Sequence, residues 1–354
     1  MKTLFLTHII LIATLFAEHQ PQADVEEVIA DVPEYLRPAF IEWTDDYVFY
    51  YDFETITLYY HKIDDRDNLI PNKEPQSYQF NRGKGPGEVQ DMIGGISYHK
   101  KKDILMTAVP QNERMMLLSI PDFEHIEDIP VFDSAGIVHP HFSNEYIVYH
   151  SLLPAHPETF FTVCNYEDDW SALKNCSNLN IELDFAESEP EYSIYVSKGG
   201  NVIYEDGYIY FAHSRVPVIR TFNIETGRQS DKIIYDESAM PEVVSGDQNE
   251  WLEGIADFNG LVKVDDRFFV LAVKNKRFPN TRDYWARNND DRYLNNVIYE
   301  VASKEDDSYH LNEFMEFDRY VLEINQHNGY MYALLSDDSQ YTVNARIVRI
   351  SINN

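Results

Sequence analysis

Val202-Ile203-Tyr204, Glu205-Asp206-Gly207, Tyr208-Ile209-Tyr210-Phe211-Ala212 reads as a strand, a tight turn and a second strand with nothing between them. β-Branched and aromatic residues suit a pleated surface, and Asp-Gly is the dipeptide that a two-residue hairpin turn requires. The pattern recurs downstream. Leu261 to Val264 leads through Asp265-Asp266 to Phe268 to Val273, and Tyr320 to Ile324 leads through a turn ending at Gly329 to Tyr330 to Leu334. It also recurs upstream. Ile41-Glu42-Trp43 leads through Asp45-Asp46 to Tyr47 to Tyr50, Ile96 to Tyr98 through His99 to Asp103 to Ile104 to Met106, and His141-Phe142 through Ser143-Asn144-Glu145 to Tyr146 to Tyr149.

The second strands begin at 47, 104, 146, 208, 268 and 330. A third strand follows in each unit: Ile56 to Tyr60, Met115 to Ile120, Phe160 to Cys164, Ile219 to Ile224, Val297 to Val301 and Ile347 to Ile350. Helical periodicity is scarce, so the chain is all-β. Six near-equal antiparallel sheets hide both faces best in a closed ring, which predicts a six-bladed β-propeller. A pair of β-sandwiches competes, but six repeats do not divide naturally into two Greek keys. The leftover strand Val25 to Ile29 is expected to join the last blade, so that the N- and C-terminal strands close the ring.

Composition agrees with a large soluble domain. The 354 residues are 44% hydrophobic, enough to build a core. The net charge of −31 excludes a nucleic-acid partner, because phosphates would be repelled at long range. Met1-Lys2 precedes an apolar run to Ala17 that turns polar at Glu18. It reads as a signal peptide, 1–17, too short for a stable membrane anchor. Residues 18–354 then form a single propeller domain, exported to the periplasm or the cell exterior. Two cysteines, Cys164 and Cys176, stand twelve positions apart. Export allows them to form a disulfide, and two separate buried thiols are the other reading.

Between the first two units stands Phe80-Asn81-Arg82-Gly83-Lys84-Gly85-Pro86-Gly87-Glu88-Val89. Its spacing matches neither Walker A nor the dinucleotide-binding fingerprint. Three alternate glycines and a proline suit a loop crossing from one blade to the next. The stretch resembles the G-x-G-P-G-E after the first blade of bacterial exported six-bladed propellers of the NHL-like and TolB-like kind. Unlike the lipoprotein members, this chain has no cysteine after its apolar run.

Propeller connectivity puts the crossings between blades and the loops between second and third strands on one face. That face is expected to gather Arg82 and Lys84, His150 and His156, His213 and Arg215, then Lys274, Lys276 and Arg277, with Asp337 and Asp338. The expected ligand-binding set is Arg82, Lys84, His150, His213, Arg215, Lys274 and Arg277, suited to an anionic group. His139-Pro140-His141 could present two rings to zinc or copper, with no further ligand evident nearby. No hydrolase motif is apparent. Lactonases of this fold hold calcium with dispersed side chains of the kind that Asp52, Asn112, Asn201 and Asp257 supply.

The reading is therefore a non-enzymatic binding or scaffold propeller that presents its loop face to a protein, peptide or glycan. No cofactor is expected on that reading. The alternative is a calcium-assisted hydrolase or lactonase with its site in the channel.

Overall fold

The computed structural model describes residues 23–29, 32, 40–52, 54–65, 70–71, 74–131, 134–143, 145–154, 159–166, 173–180, 200–214, 217–235, 258–273, 295–304, 308–338 and 342–352. Strand β1 (Ala23–Ile29) belongs to the last blade. Blade 1 contains β2 (Ile41–Trp43), β3 (Tyr47–Asp52) and β4 (Thr57–Asp65), which pairs with both β5 (Ile70–Pro71) and β6 (Gln76–Gln79). A short parallel ladder of β7 (Asn81–Arg82) and β8 (Glu88–Val89) follows. Blade 2 is β9 (Ile96–His99), β10 (Ile104–Val109), β11 (Arg114–Ser119) and β12 (His125–Pro130). Blade 3 is β13 (Ser134–Phe142), β14 (Tyr146–Pro154), β15 (Thr159–Asn165) and β16 (Lys174–Asn180).

Blade 4 is β17 (Gly200–Glu205), β18 (Tyr208–His213), β19 (Val218–Asn223) and β20 (Arg228–Ile234). Blade 5 is β21 (Phe258–Val264), β22 (Arg267–Val273), β23 (Asn295–Ser303) and β24 (Tyr309–Glu316). Blade 6 is β25 (Tyr320–His327), β26 (Tyr330–Ser336) and β27 (Arg346–Ile352), and β1 completes it. The chain is a six-bladed β-propeller closed by its two ends.

Turn chemistry sets the hairpins. Asp206 and Gly207 both have positive φ (50° and 79°), as do Asn328 and Gly329 (48° and 78°). That pair of left-handed residues matches the twist of the flanking strands. Blades 1 and 3 use a hydroxyl instead. Thr44 Oγ1 accepts from Asp46 N and Tyr47 N at 3.2 and 2.8 Å, and Ser143 Oγ accepts from Glu145 N and Tyr146 N at 3.2 and 3.0 Å.

The core is divided into six clusters, one at each junction between neighbouring blades. Phe49 and Tyr51 pack toward blade 2, while Val48 and Tyr50 pack toward blade 6. A strand covered on both faces is apolar at every position, so Tyr47 to Tyr51 does not alternate with polar residues. Each such side chain, fully buried, contributes about 1.5–3 kcal/mol.

β1 pairs antiparallel with β27, from Ala23 opposite Ile352 to Ile29 opposite Ile347. Arg349 reaches Glu26 at 2.5 Å and Arg346 reaches Glu27 at 3.4 Å across that seam. Cys164 and Cys176 face each other on β15 and β16 and form a disulfide. No helix among the described residues is long and apolar enough to cross a membrane. The expected signal segment, 1–17, lies outside the described residues.

Candidate functional site

The glycine-rich crossing is held in place by the side chains of Glu88, Asn112, Arg114 and Asp128. Glu88 turns back so that its Oε2 accepts from Gly85 N at 2.7 Å. A Cβ at Gly83 would stand 2.0 Å from that oxygen, and one at Gly85 would stand 2.9 Å from it. Those two glycines are therefore required for space. Gly87, at φ +72°, and Gly83, at φ +158°, also take backbone conformations that favour glycine. Arg114 Nη2 donates to the carbonyls of Gly85 and Glu88 at 2.6 and 2.5 Å, and its Nη1 lies 3.1 Å from Asp128 Oδ2. Arg82 donates to Glu54 O at 2.9 Å and Asn112 to Gly83 O at 3.3 Å, so the crossing touches the facing loops of blades 1 and 2.

Several expected residues of this face lie elsewhere. Arg82 and Lys84 are exposed on the crossing. His150 and His213 are fully buried, which corrects their placement in loops. Their strands run longer than the sequence suggested, and alternation sets His150 on the side of Val148 and His213 on the side of Phe211. Both rings pack against Phe160, with centroids 5.9 and 5.8 Å away. His213 Nε2 accepts from Arg220 Nε at 3.1 Å. The structure thus brings these two histidines together, but inside the core between blades 3 and 4. Arg215, Lys274 and Arg277, with His156 and Lys276, lie outside the described residues. Asp337 pairs with Arg319 at 3.1 Å, and Asp338 N donates to Ser336 Oγ at 3.1 Å.

The His-Pro-His segment does not form a paired ligand set. His139 takes a left-handed backbone (φ 48°) at a register shift in β13, and its ring stacks on His150 at 6.1 Å. His141 stacks instead on Tyr204 at 4.5 Å. Burial pushes both rings down to a pKa of about 4, so they are neutral at pH 7. Among the described residues no group of three or more His, Cys, Asp or Glu could hold a metal ion. Of the dispersed residues suited to calcium, Asp52 caps its own turn, accepting from Glu54 N and Thr55 Oγ1. Asn112 holds the crossing, and Asp257 lies outside the described residues. Asn201 alone of the four is seen to line the channel.

Two concavities lie along the ring axis, and apart from Asn201, His139 and His141 their polar side chains escaped the sequence reading. A cavity of about 570 Å³ is lined by the inner strands or their entries from all six blades, including Glu42, Gly94, His139, Asn201, Asn259 and Glu323. A second cavity of about 730 Å³ opens on the opposite face, among the hairpin turns bearing Glu205, Asp206, Asp265 and Asp266. The two share Glu42, Val202, Ile203, Asn325 and Gln326, so Glu42 stands at the waist where they meet.

Inner strands are sheet edges, and their free backbone groups need partners. Blade 6 supplies several. Glu323 Oε1 accepts from Ile41 N at 2.8 Å, Asn325 Nδ2 donates to Ile41 O, and Gln326 Oε1 accepts from Lys263 N. Tyr204 OH donates to His139 O at 2.5 Å. Burial and the Glu323 charge push Glu42 up to a pKa of about 8, leaving it mostly protonated at neutral pH. The only signal for these residues was the polar run Glu323-Ile324-Asn325-Gln326 in a strand whose blade is otherwise covered on both faces.

No protein-family profile matches the chain, and no curated protein matches it in sequence. Solved structures do resemble it. A candidate exported protein of Bacteroides fragilis shares 11% identity at a TM-score of 0.57, covering 96% of this chain and 97% of that one. A luciferin-regenerating enzyme shares 10% identity at 0.52, covering 93% and 95%. The WD40 repeats of RRP9 share 6% identity at 0.51, covering 94% and 100%. At such identities the likeness is one of fold, and the fold serves both enzymes and scaffolds.

Proposed function

We propose that this protein is an exported, non-enzymatic binding propeller that takes a polar segment of a peptide, protein or glycan into its central channel. The supporting observation is the 570 Å³ cavity bounded by all six blades. Its volume is that of a small-molecule or side-chain pocket. Its polar groups from separate blades are hydrogen-bonding groups suited to recognition. Glu323, Asn325 and Gln326 already hold neighbouring strands together. Asn201, Asn259 and Glu42 remain to meet a ligand. The anion-binding reading loses its two histidines to the core, and the channel that replaces it carries carboxyl groups. Export rests on the apolar run to Ala17.

The test is a thermal-shift screen of peptides, glycans and small polar metabolites, with calcium and a chelated control as separate arms. A ligand at a hundredfold excess over its Kd raises stability by about 2.7 kcal/mol. Asn259→Trp should fill the channel and abolish the shift, with Asn201→Lys as a second obstruction and circular dichroism to confirm folding. A ligand whose effect survives both obstructions would place binding outside the channel. A calcium-dependent shift accompanied by ester or lactone turnover would replace this reading with the hydrolase.

A further inference from the structure

Of the polar side chains that line the upper cavity, four are already engaged. Glu323 accepts from Ile41 N, Asn325 bonds Ile41 O and Gln326 N, and Gln326 accepts from Lys263 N. The His139 ring is bonded to the backbone of Gly200. The other three are Asn201 from blade 4, Asn259 from blade 5 and Glu42 from blade 1. Among the described residues, none of these three side chains has a hydrogen bond or an ion pair. Strands β17 and β21 pack together, so the two asparagines stand on neighbouring inner strands. Glu42 lies at the floor, where the two cavities meet. The wall around them is aliphatic, with Ile93, Val202, Leu261 and Leu322. Polar groups left unbonded in such surroundings are costly until a ligand satisfies them.

Each asparagine offers N–H donors beside a carbonyl acceptor, and a protonated carboxyl offers one O–H beside one carbonyl. A ligand group of the same kind suits all three. An amide pairs with each of them through two antiparallel hydrogen bonds, whereas a carboxylate has no donor and an ammonium no acceptor. We propose that the upper cavity binds an uncharged amide group, held by the side chains of Asn201 and Asn259 with the Glu42 carboxyl at the floor. This rests on the channel reading above and gives its ligand a chemical class. The Asn or Gln side chain of a peptide and the acetamido group of an amino sugar both carry that chemistry.

Glu42 donates only while protonated, so its ionisation near pH 8 should weaken binding. Facing it are Glu323 from blade 6, His139 and His141 from blade 3, and Tyr204 from blade 4, whose hydroxyl donates to His139 O. The lower cavity adds the Lys263–Glu205 pair, His327 held by Asp45, and Asp206, Asp265 and Asp266 at the turns. The three histidines are neutral at pH 7, and Tyr204 and Lys263 are both pushed up, so these five hold their charge to pH 9.

The experiment is calorimetric titration of the whole protein with butyramide at about 0.15 M salt, with butyrate, butylamine and butanol as matched controls. N-acetylglutamine methylamide against its norleucine equivalent, and N-acetylglucosamine against glucose, separate the two sources. Saturable butyramide binding at least tenfold tighter than any control is expected. Asn201→Leu and Asn259→Leu should each weaken it at least tenfold, with circular dichroism confirming folding and the Asp variants replacing any that fails to fold. Affinity should fall at least fivefold between pH 7 and 9 in the parent, and Glu42→Gln, which keeps a donor and an acceptor at every pH, should show no such decline.

The absence of saturable amide binding, a control within threefold of butyramide, or an Asn variant within twofold of the parent would overturn the proposal. So would an affinity flat across that pH range, or a decline that Glu42→Gln retains. A ligand of another class that Asn259→Trp excludes would end the amide proposal while leaving the channel reading standing. If the obstructed variants exclude no ligand at all, the channel reading itself fails.

Discussion

Glu42 gives the molecule a pH signature that one side chain can be made to reveal. Its pKa rises from 4.5 to about 8 on folding, so the folded state holds a proton that the unfolded chain releases. The stability tied to that proton is complete below about pH 4.5 and is lost as pH rises through 8. His139 and His141 act in the opposite sense. Their values fall from 6.5 to about 4, so stability is lost as pH drops through that window. Below about pH 6.5 two histidines oppose one carboxyl, and above it the carboxyl acts alone. For these three groups the optimum lies near pH 6.5. Glu42→Gln should flatten the alkaline side, gaining on the order of 1–3 kcal/mol over the parent by about pH 8, reduced by water in the channel. Between about pH 4.5 and 6.5 the acid side should steepen, because the two histidines then act unopposed. Melting curves of the two proteins between about pH 5 and 9 check this, and parallel curves would mean that Glu42 ionises freely in the fold.

At the scale of elements, the glycine-rich crossing shows what short-range chemistry does and does not disclose. That the segment is a crossing was legible from its glycines and proline. The reason for Gly83 was not, because the oxygen that a Cβ would strike belongs to Glu88, five residues on. Gly83→Ala should therefore cost about 1–3 kcal/mol, and Glu88→Ala should cost about as much by releasing the loop. Combined, they should cost clearly less than their sum, since removing Glu88 makes room for the methyl group. Urea unfolding of the four proteins measures the coupling, and additivity would show that the clash is relieved in some other way.

Arg114→Met should be worse than either, at about 2–4 kcal/mol, because it strips three loop carbonyls and Asp128 of a donor. Hairpins such as Asp206-Gly207 were readable because their geometry is encoded in two adjacent residues. His150 and His213 were misplaced because a strand's end is fixed by what packs beside it. Phe160 and Phe211 extend the buried face one residue past the local signal. The channel was hidden for a related reason. Which polar residue of an inner strand turns to the axis depends on the free backbone of the adjacent blade, a partner 282 positions away for Glu323 and Ile41.

For the whole molecule the decisive contact is the seam at blade 6, where the chain's two ends meet: β1 runs on into blade 1 but is joined to β27 only by hydrogen bonds and packing. Two devices close it. On the outside, β1 completes blade 6 and covers the edge of β27. On the inside, Glu323 and Asn325 engage both the N–H and the C=O of Ile41. Between them lies a cluster containing Ile29, Trp43, Tyr332 and Ile347, with Trp43 stacked on Tyr332 at 3.8 Å. If ring closure is all-or-none, either device alone depends on the other. Asn325→Ala, which leaves the Ile41 carbonyl unsatisfied, should cost about 1–3 kcal/mol. Deletion of 23–29 should cost more, since it removes a ladder and uncovers an edge prone to pairing with other chains. The two together should cost less than their sum, because an opened ring has no seam left to weaken. Hydrogen exchange should show the loss concentrated in blades 1 and 6, with β15 and β18 still protected between their aromatic faces. Additive losses within about 0.5 kcal/mol, or loosening spread evenly around the ring, would mean that the blades stand independently and that closure contributes no cooperativity.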